Sequence, residues 1–239
     1  MSERKIKSLP VTVTYLEQCE RPVLPTISVP GDVKIALLRA QAMPVHFYRY
    51  LYDLVGRPYN WVSRTLISDR ALKEIIHHNR VFIYVLYVGG VPAGFAEIDA
   101  RHPKVPEIKF FGLAPDFVGQ KLGPFFLTQI IDLAWTCGAS DAGSSKKEIS
   151  ASTGPTRVRL ETCTFDHPAA LPLYQKFGFR PLRQRVCEVP VLPGFTPPPT
   201  SKGAYGKTAT GAEPIAPSVP GLEKNAPTLR LVPSASKRS

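Results

Sequence analysis

The block Leu113-Ala-Pro-Asp-Phe-Val-Gly-Gln-Lys-Leu-Gly-Pro-Phe-Phe-Leu sets a short polar loop between an extended apolar segment and a helical run. A loop in that place aims backbone N–H groups at a helix entrance, and those donors with the helix dipole suit a phosphate or pyrophosphate. Gly119 and Gly123 let the backbone approach a ligand closely. The same pair also fits an ordinary strand-to-helix turn. Upstream, Glu97 and Asp99 fall on one face of a strand by period-two alternation, and Glu107 opens the next strand. Clustered carboxylates raise the pKa of one member and attract a cationic amine; residues of this kind also serve as solvent-facing strand positions.

Other reactive side chains carry less. His77 and His78 sit at a predicted helix end, where a histidine complements the dipole. His167 precedes Pro168 and serves a turn. Cys163 lies inside a strand with no obvious base and reads as a small core residue. Trp61 and Trp135 read as packing anchors. Leu171, Tyr174 and Gly178 share helical spacing, so Tyr174 taken alone is a core aromatic.

The elements that must hold these residues follow from periodicity. Residues 9–18 alternate and read as a strand, and 20–32 as a connection. Met43–Leu54 reads as a helix closed by Gly56 and Pro58, and Ser68-Asp69 caps a second helix through about His78. Val81–Val88 reads as a buried strand, joined through Gly89-Gly90 to a partner over Val91–Ala100. Glu107–Leu113 is a third strand, Gly123–Cys137 a helix with Pro124 in its first turn, and Arg157–Thr164 a strand. Pro168–Phe177 is a helix stopped by Gly178, and Phe179–Val189 a last strand.

Composition bounds the function. The 239 residues are 44% hydrophobic, which fits one domain plus tails, and 25 prolines place part of the chain outside regular structure. Of the net charge of +11, +4 lies in residues 192–239 and +2 in residues 1–8. A solvated tail accounts for this, and no aromatic–basic interleaving suggests a nucleic-acid platform. Cys19, Cys137, Cys163 and Cys187 are scattered, without metal-ligand spacing, so no metal is expected and reduced thiols in the cytoplasm fit. Residues 1–20 hold no apolar run of signal-peptide length, and no stretch approaches the length of a membrane span.

Two blocks resemble the GNAT (GCN5-related N-acetyltransferase) superfamily. Val118, Gly119, Gln120, Lys121, Leu122 and Gly123 are similar to its motif A loop, Gln/Arg-x-x-Gly-x-Gly/Ala. Gly123 matches the final glycine; Val118 stands for the usual Gln or Arg, and Lys121 for the usual Gly. The Lys121 ammonium could instead meet a phosphate. Leu160-Glu-Thr-Cys-Thr-Phe-Asp-His-Pro-Ala-Ala-Leu-Pro-Leu-Tyr-Gln-Lys-Phe-Gly-Phe-Arg resembles motif B. Asp166 takes the polar turn, often Asn in the family, and Ala169 or Ala170 would let the cofactor approach.

The resemblance implies roles for named residues. Tyr174 falls on the tyrosine that protonates the departing CoA thiolate in many members. Glu107 falls where a glutamate of histone-type members takes the proton of the amine, with Glu97 the second candidate. Phe111, Gly112 and Leu113 would hold the pantetheine arm as a strand would, and Val118–Gly123, Pro124 and Asp166 would complete the cofactor site. A backbone N–H near Phe111–Leu113 would polarise the thioester carbonyl. Phe47, Tyr48, Tyr50, Tyr52, Tyr59 and Trp61 would border the acceptor site, with core packing as their other use.

The expected fold is therefore α+β: a GNAT-like mixed, mostly antiparallel twisted sheet flanked by helices, with a disordered C-terminal tail. Residues 1–8 are expected to be flexible, 9–192 to form the domain with a flexible insertion at 138–156, and 193–239 to be the disordered tail. The expected activity is N-acetyl transfer from acetyl-CoA to an amine of a small molecule or protein, without metal, nucleic acid or membrane. The other reading is a non-catalytic acyl-CoA-binding module of the same fold. The acceptor, and the choice between monomer and dimer, stay open.

Overall fold

A computed structural model describes residues 7–28, 33–137 and 154–198. The expectations for 1–6, for most of the 138–156 insertion and for 199–239 lie outside the described residues. The strands are β1 (Ser8–Gln18), β2 (Ile35–Ala40), β3 (Val81–Val88), β4 (Val91–Asp99), β5 (Glu107–Leu113), β6 (Val158–Cys163) and β7 (Arg180–Pro190). The helices are α1 (Val45–Gly56), α2 (Asp69–Ile76), α3 (Leu122–Thr136) and α4 (Ala170–Lys176). The seven strands form one sheet in the order β2-β3-β4-β5-β6-β1-β7. All neighbours are antiparallel except β5 and β6. This is the mixed, mostly antiparallel, helix-flanked sheet expected from the sequence.

Local chemistry explains most elements. The apolar stripe of α1, Tyr48, Leu51, Tyr52 and Val55, recurs at three- and four-residue intervals and is buried against the sheet. The Ser68 hydroxyl accepts from the Ala71 N–H at 3.3 Å and caps α2. Helix α3 is apolar nearly all round because it is buried: Phe126, Leu127, Ile130, Ile131 and Ala134 are fully covered. Each such large side chain contributes about 2 kcal/mol by leaving water. Strand β3 is buried on both faces, which explains its unbroken apolar run. Gly89 and Gly90 take φ of 60° and 88°, as a two-residue hairpin turn requires.

Strand β2 is an addition to the expected elements. Its sequence Ile-Ala-Leu-Leu-Arg-Ala is rich in helix formers and lacks clean alternation. It is a half-exposed edge strand, held by its antiparallel register on β3 rather than by its own pattern. The first helix also runs two residues further than expected, to Gly56, and passes into a 3-10 turn at Arg57–Tyr59 that contains Pro58.

Two features position the site. Strands β5 and β6 pair in parallel only at Glu107↔Arg159 and Ile108↔Leu160, then separate. Strand β1 fills the place between β6 and β7. Buried Gln18 at its end accepts from Trp135 Nε1 at 2.6 Å and donates to the Phe177 carbonyl at 2.7 Å, tying β1 to α3 and to the end of α4.

Candidate active site

Where β5 and β6 part, a cavity of about 800 Å³ opens through the sheet. The β5 segment 110–113 forms one wall, and β6 with the turn into α4 forms the other. The start of α3 borders it where that helix packs on Phe111, and Tyr59 and the pair Tyr52 and Trp61, which pack on the neighbouring Phe110, border it as well.

At the α3 end, Val118, Gly119, Lys121, Gly123 and Pro124 line the cavity. Gln120 and Leu122 do not: the Gln120 amide donates to the Asp116 carbonyl at 2.6 Å, and Leu122 is buried. Gly119 has φ 83°, and Lys121, the N-cap of α3, has φ 62°. A left-handed φ on a residue with a Cβ costs about 1 kcal/mol. Lys121 thus keeps a glycine-like backbone where the resemblance expects glycine. No side chain caps this turn, so first-turn N–H groups lack the usual capping acceptor and present donors to an anion. These features fit a cosubstrate pyrophosphate.

Along the walls, Phe111, Gly112, Leu113, Asp166 and Tyr174 all line the cavity, which gathers them in one place. Tyr174 is nearly buried, edge-on to Phe111 and to Phe179 at centroid distances of 6.3 Å in both cases. The glycine at 112 has a packing reason: a Cβ there would lie 2.6 Å from Val55 Cγ1. Asp166 accepts from Thr162 Oγ1 and the Cys163 N–H at 2.8 Å, and from Trp61 Nε1 at 3.4 Å. Burial pushes its carboxyl up, against the pull of those donors. Cys163 is part of the cavity wall rather than the core, and burial with the Asp166 charge pushes its thiol up to about 12. His167 serves its turn, Nδ1 accepting from the Ala169 N–H at 3.2 Å.

The candidate carboxylates are placed differently. Glu107 is not a wall residue; its carboxylate lies 2.9 Å from the ammonium of Lys109, which is one. Lys109 also lies 3.3 Å from Glu161, another wall residue. Burial pulls the Lys109 ammonium down, but the two glutamates outweigh it and hold it above its usual range. Glu97 is fully buried beneath α1, away from the cavity wall. Its Oε1 lies 2.6 Å from Arg64, and Tyr48 Oη donates to Oε2. Burial and then Glu97 hold the Tyr48 phenol well above its ordinary pKa.

The aromatics of the α1 region divide. Tyr52 and Trp61 meet Phe110 in a cluster with centroids 5.0–5.5 Å apart, and Tyr59 joins the cavity wall. Tyr48 belongs to the core, and Tyr50 is exposed. Sequence reasoning missed Lys109, Glu161 and Asn60 as wall residues. Glu161 and Cys163 alternate to one face of β6, a period-two signal that could have placed Glu161 there. Asn60 has no local signal.

Residues 48–142 match the model of the Acetyltransferase (GNAT) family. No curated protein matches the chain. Among solved structures, a conserved protein of unknown function from Staphylococcus epidermidis is similar at 17% identity and TM-score 0.47, over 75% of this chain and 61% of that one. A GCN5-related N-acetyltransferase from Kribbella flavida is similar at 17% identity and TM-score 0.45, over 79% and 59%. A tandem GNAT protein of the clavulanic acid biosynthesis pathway is similar at 12% identity and TM-score 0.48, over 73% and 51%. The chain thus spans between half and two thirds of the length of these three. The family match over residues 48–142 contains the first of the two sequence blocks, the one similar to motif A, and this chain is GNAT-like.

Proposed function

We propose that the chain transfers an acetyl group from acetyl-CoA to the amine of a small molecule or protein. The observation that carries this reading is the single cavity that joins the uncapped start of α3, Tyr174 and the Lys109–Glu161 cluster through the opening between β5 and β6. A long thioester and an amine entering from opposite ends would meet inside the sheet.

In this reading an acyl thioester, when bound, supplies the activated acyl carbon, and the rest falls to the chain. The first turn of α3 with Gly119 and Lys121 holds the pyrophosphate, and the free edge of β5 at Phe111–Leu113 orients the pantetheine arm. Glu107, reached past Lys109, takes a proton from the incoming ammonium through a water. The freed nitrogen bonds to the acyl carbon as the carbon–sulfur bond breaks, the Tyr174 hydroxyl donates a proton to the departing sulfur, and the second proton, shed by the new amide nitrogen, passes through water to restore the phenol. Glu97 acts through Arg64 and Tyr48, holding α1 and its following loop beside the acceptor end. The domain limits 9–192 and action in the cytoplasm belong to the same proposal; among the described residues no helix is long and apolar enough to cross a membrane.

Thiol release from acetyl-CoA with a panel of amines tests it. Turnover is expected, and Tyr174→Phe should lower kcat by about 10²-fold or more, as loss of a general acid does. CoA binding without turnover on any amine would leave a binding module instead.

A further inference from the structure

The acceptor end of the cavity has its own composition. Tyr52, Trp61 and Phe110 form its apolar wall, and Tyr59 and Phe165 extend it. The segment that leaves β7 is tied to two of the cavity's wall residues. Asn60, itself buried, binds the backbone on both sides of Val191, and Phe195 packs on Phe165 at 5.0 Å.

The carboxylates at this end are largely engaged. Among the described residues, the carboxylates of the cavity wall are Glu161 and Asp166. The Asp166 oxygens already accept from Thr162, Cys163 and Trp61. Glu161 and, behind the wall, Glu107 share the one ammonium of Lys109. Two carboxylates against one ammonium leave one negative charge for an arriving cation. Each further ammonium would sit against aromatic wall whose neighbouring carboxylate, Asp166, is already held by three donors, at a desolvation cost.

We infer that the acceptor is a monoamine on a flat apolar body, an arylalkylamine, with its ring on the Tyr52–Trp61–Phe110 wall and its nitrogen toward the Glu107–Lys109–Glu161 cluster. This rests on the acetyl-transfer reading for the reaction, but the binding preference follows from the walls alone. Polyamines and aminoglycosides, with several ammonium groups, fit poorly. An aromatic wall also favours a single ammonium before it loses its proton.

The test uses the full chain with 2-phenylethylamine, spermidine and tobramycin as probes. Binding is followed by calorimetry with CoA present and absent, and transfer by thiol release. The expected result is that 2-phenylethylamine exceeds both polycations in kcat/KM by about 100-fold, the scale on which unpaired buried charge discriminates. Trp61→Ala should cost 2-phenylethylamine about tenfold or more in affinity, as loss of an aromatic anchor does. Because Trp61 packs on Gly56, the second variant is at Val62, also a wall residue: Val62→Glu adds a wall carboxylate and should raise spermidine efficiency, narrowing its gap to 2-phenylethylamine. Selective binding of 2-phenylethylamine without any transfer keeps this inference and sinks the acetyl-transfer reading. Equal or better use of spermidine or tobramycin overturns the inference and leaves the transfer reading intact. Absence of binding by all three overturns it as well.

Discussion

The Asn60 carboxamide donates to the Pro190 carbonyl at 2.9 Å across 130 residues of sequence, and its oxygen accepts from the Leu192 N–H at 2.8 Å. Asn60 sits at φ 56°, a conformation that asparagine tolerates better than most residues. Asn60→Ala should therefore lose two bonds and add strain, lowering stability by about 2 kcal/mol in urea unfolding. Asn60→Gly, which removes the strain, should lose less. Both should raise the acceptor KM more than the acetyl-CoA KM.

The Arg64–Glu97 pair is buried on both sides, with side-chain exposures of 11% and 0%. Burial pulls the Arg64 guanidinium down, but Glu97 and Tyr48 outweigh it, so it stays charged. Removing one partner leaves an uncompensated charge under α1. Arg64→Ala should cost about 3 kcal/mol, and Arg64→Ala with Glu97→Gln should recover part of that loss. Chemical denaturation of the three variants reads this directly; equal stability of single and double variants would count against it.

Gly112 is fixed by the approach of α1. A Cβ would lie 2.6 Å from Val55 Cγ1, so Gly112→Ala should destabilise by about 1–3 kcal/mol. Adding Val55→Ala should restore part of it, and a double-mutant cycle should show coupling of about 1 kcal/mol. A purely cofactor-related glycine would show no such rescue.

Lys121 separates two effects. Lys121→Gly should relieve the φ of 62° and raise stability by a few tenths to about 1 kcal/mol in thermal unfolding. If its ammonium meets a phosphate, the same variant should bind CoA more weakly and with a shallower dependence on salt. Lys121→Asn, keeping a residue tolerant of this backbone, should weaken CoA in the same way.

Cys163 gives a pH signature. Its thiol is pushed up to about 12 by burial and by Asp166, from an unperturbed value near 9. A raised folded pKa means the neutral form is the stabilising one. The contribution is complete below pH 9 and is lost as pH rises toward 12. Iodoacetamide at pH 8 should label exposed Cys19 long before Cys163.

The parts of this molecule that could be read from sequence are those whose pattern is local. The β3–β4 hairpin announces itself by an unbroken apolar strand and two glycines, α3 by its buried run, and the loop before α3 by its place between β5 and that helix. Strand β2 could not be read, because its residues prefer a helix and only the β3 edge makes them a strand. The Tyr52–Trp61–Phe110 wall was legible only as an aromatic cluster. Which aromatics face the cavity depends on where β5 and β6 part, and the role of Asn60 depends on backbone from far along the chain. Lys109 was hidden for a related reason: β5 changes register against β4 between Glu97 and Ile98, so simple alternation misassigns the faces of β5.

Strand β1 has a consequence for how the molecule is made. Residues 8–18 pair with 158–163 on one side and 180–190 on the other. Among the described strands, β1 precedes the others in the chain and pairs only with the last two, β6 and β7. While a ribosome is still extending the chain through residue 157, β1 has neither neighbour, and its apolar residues have no sheet to join. Closing the sheet is thus a late, long-range event, of the kind that slows refolding to about milliseconds to seconds or beyond. A chaperone that shelters the first twenty residues should speed recovery of the folded chain more than one that acts on β3 and β4.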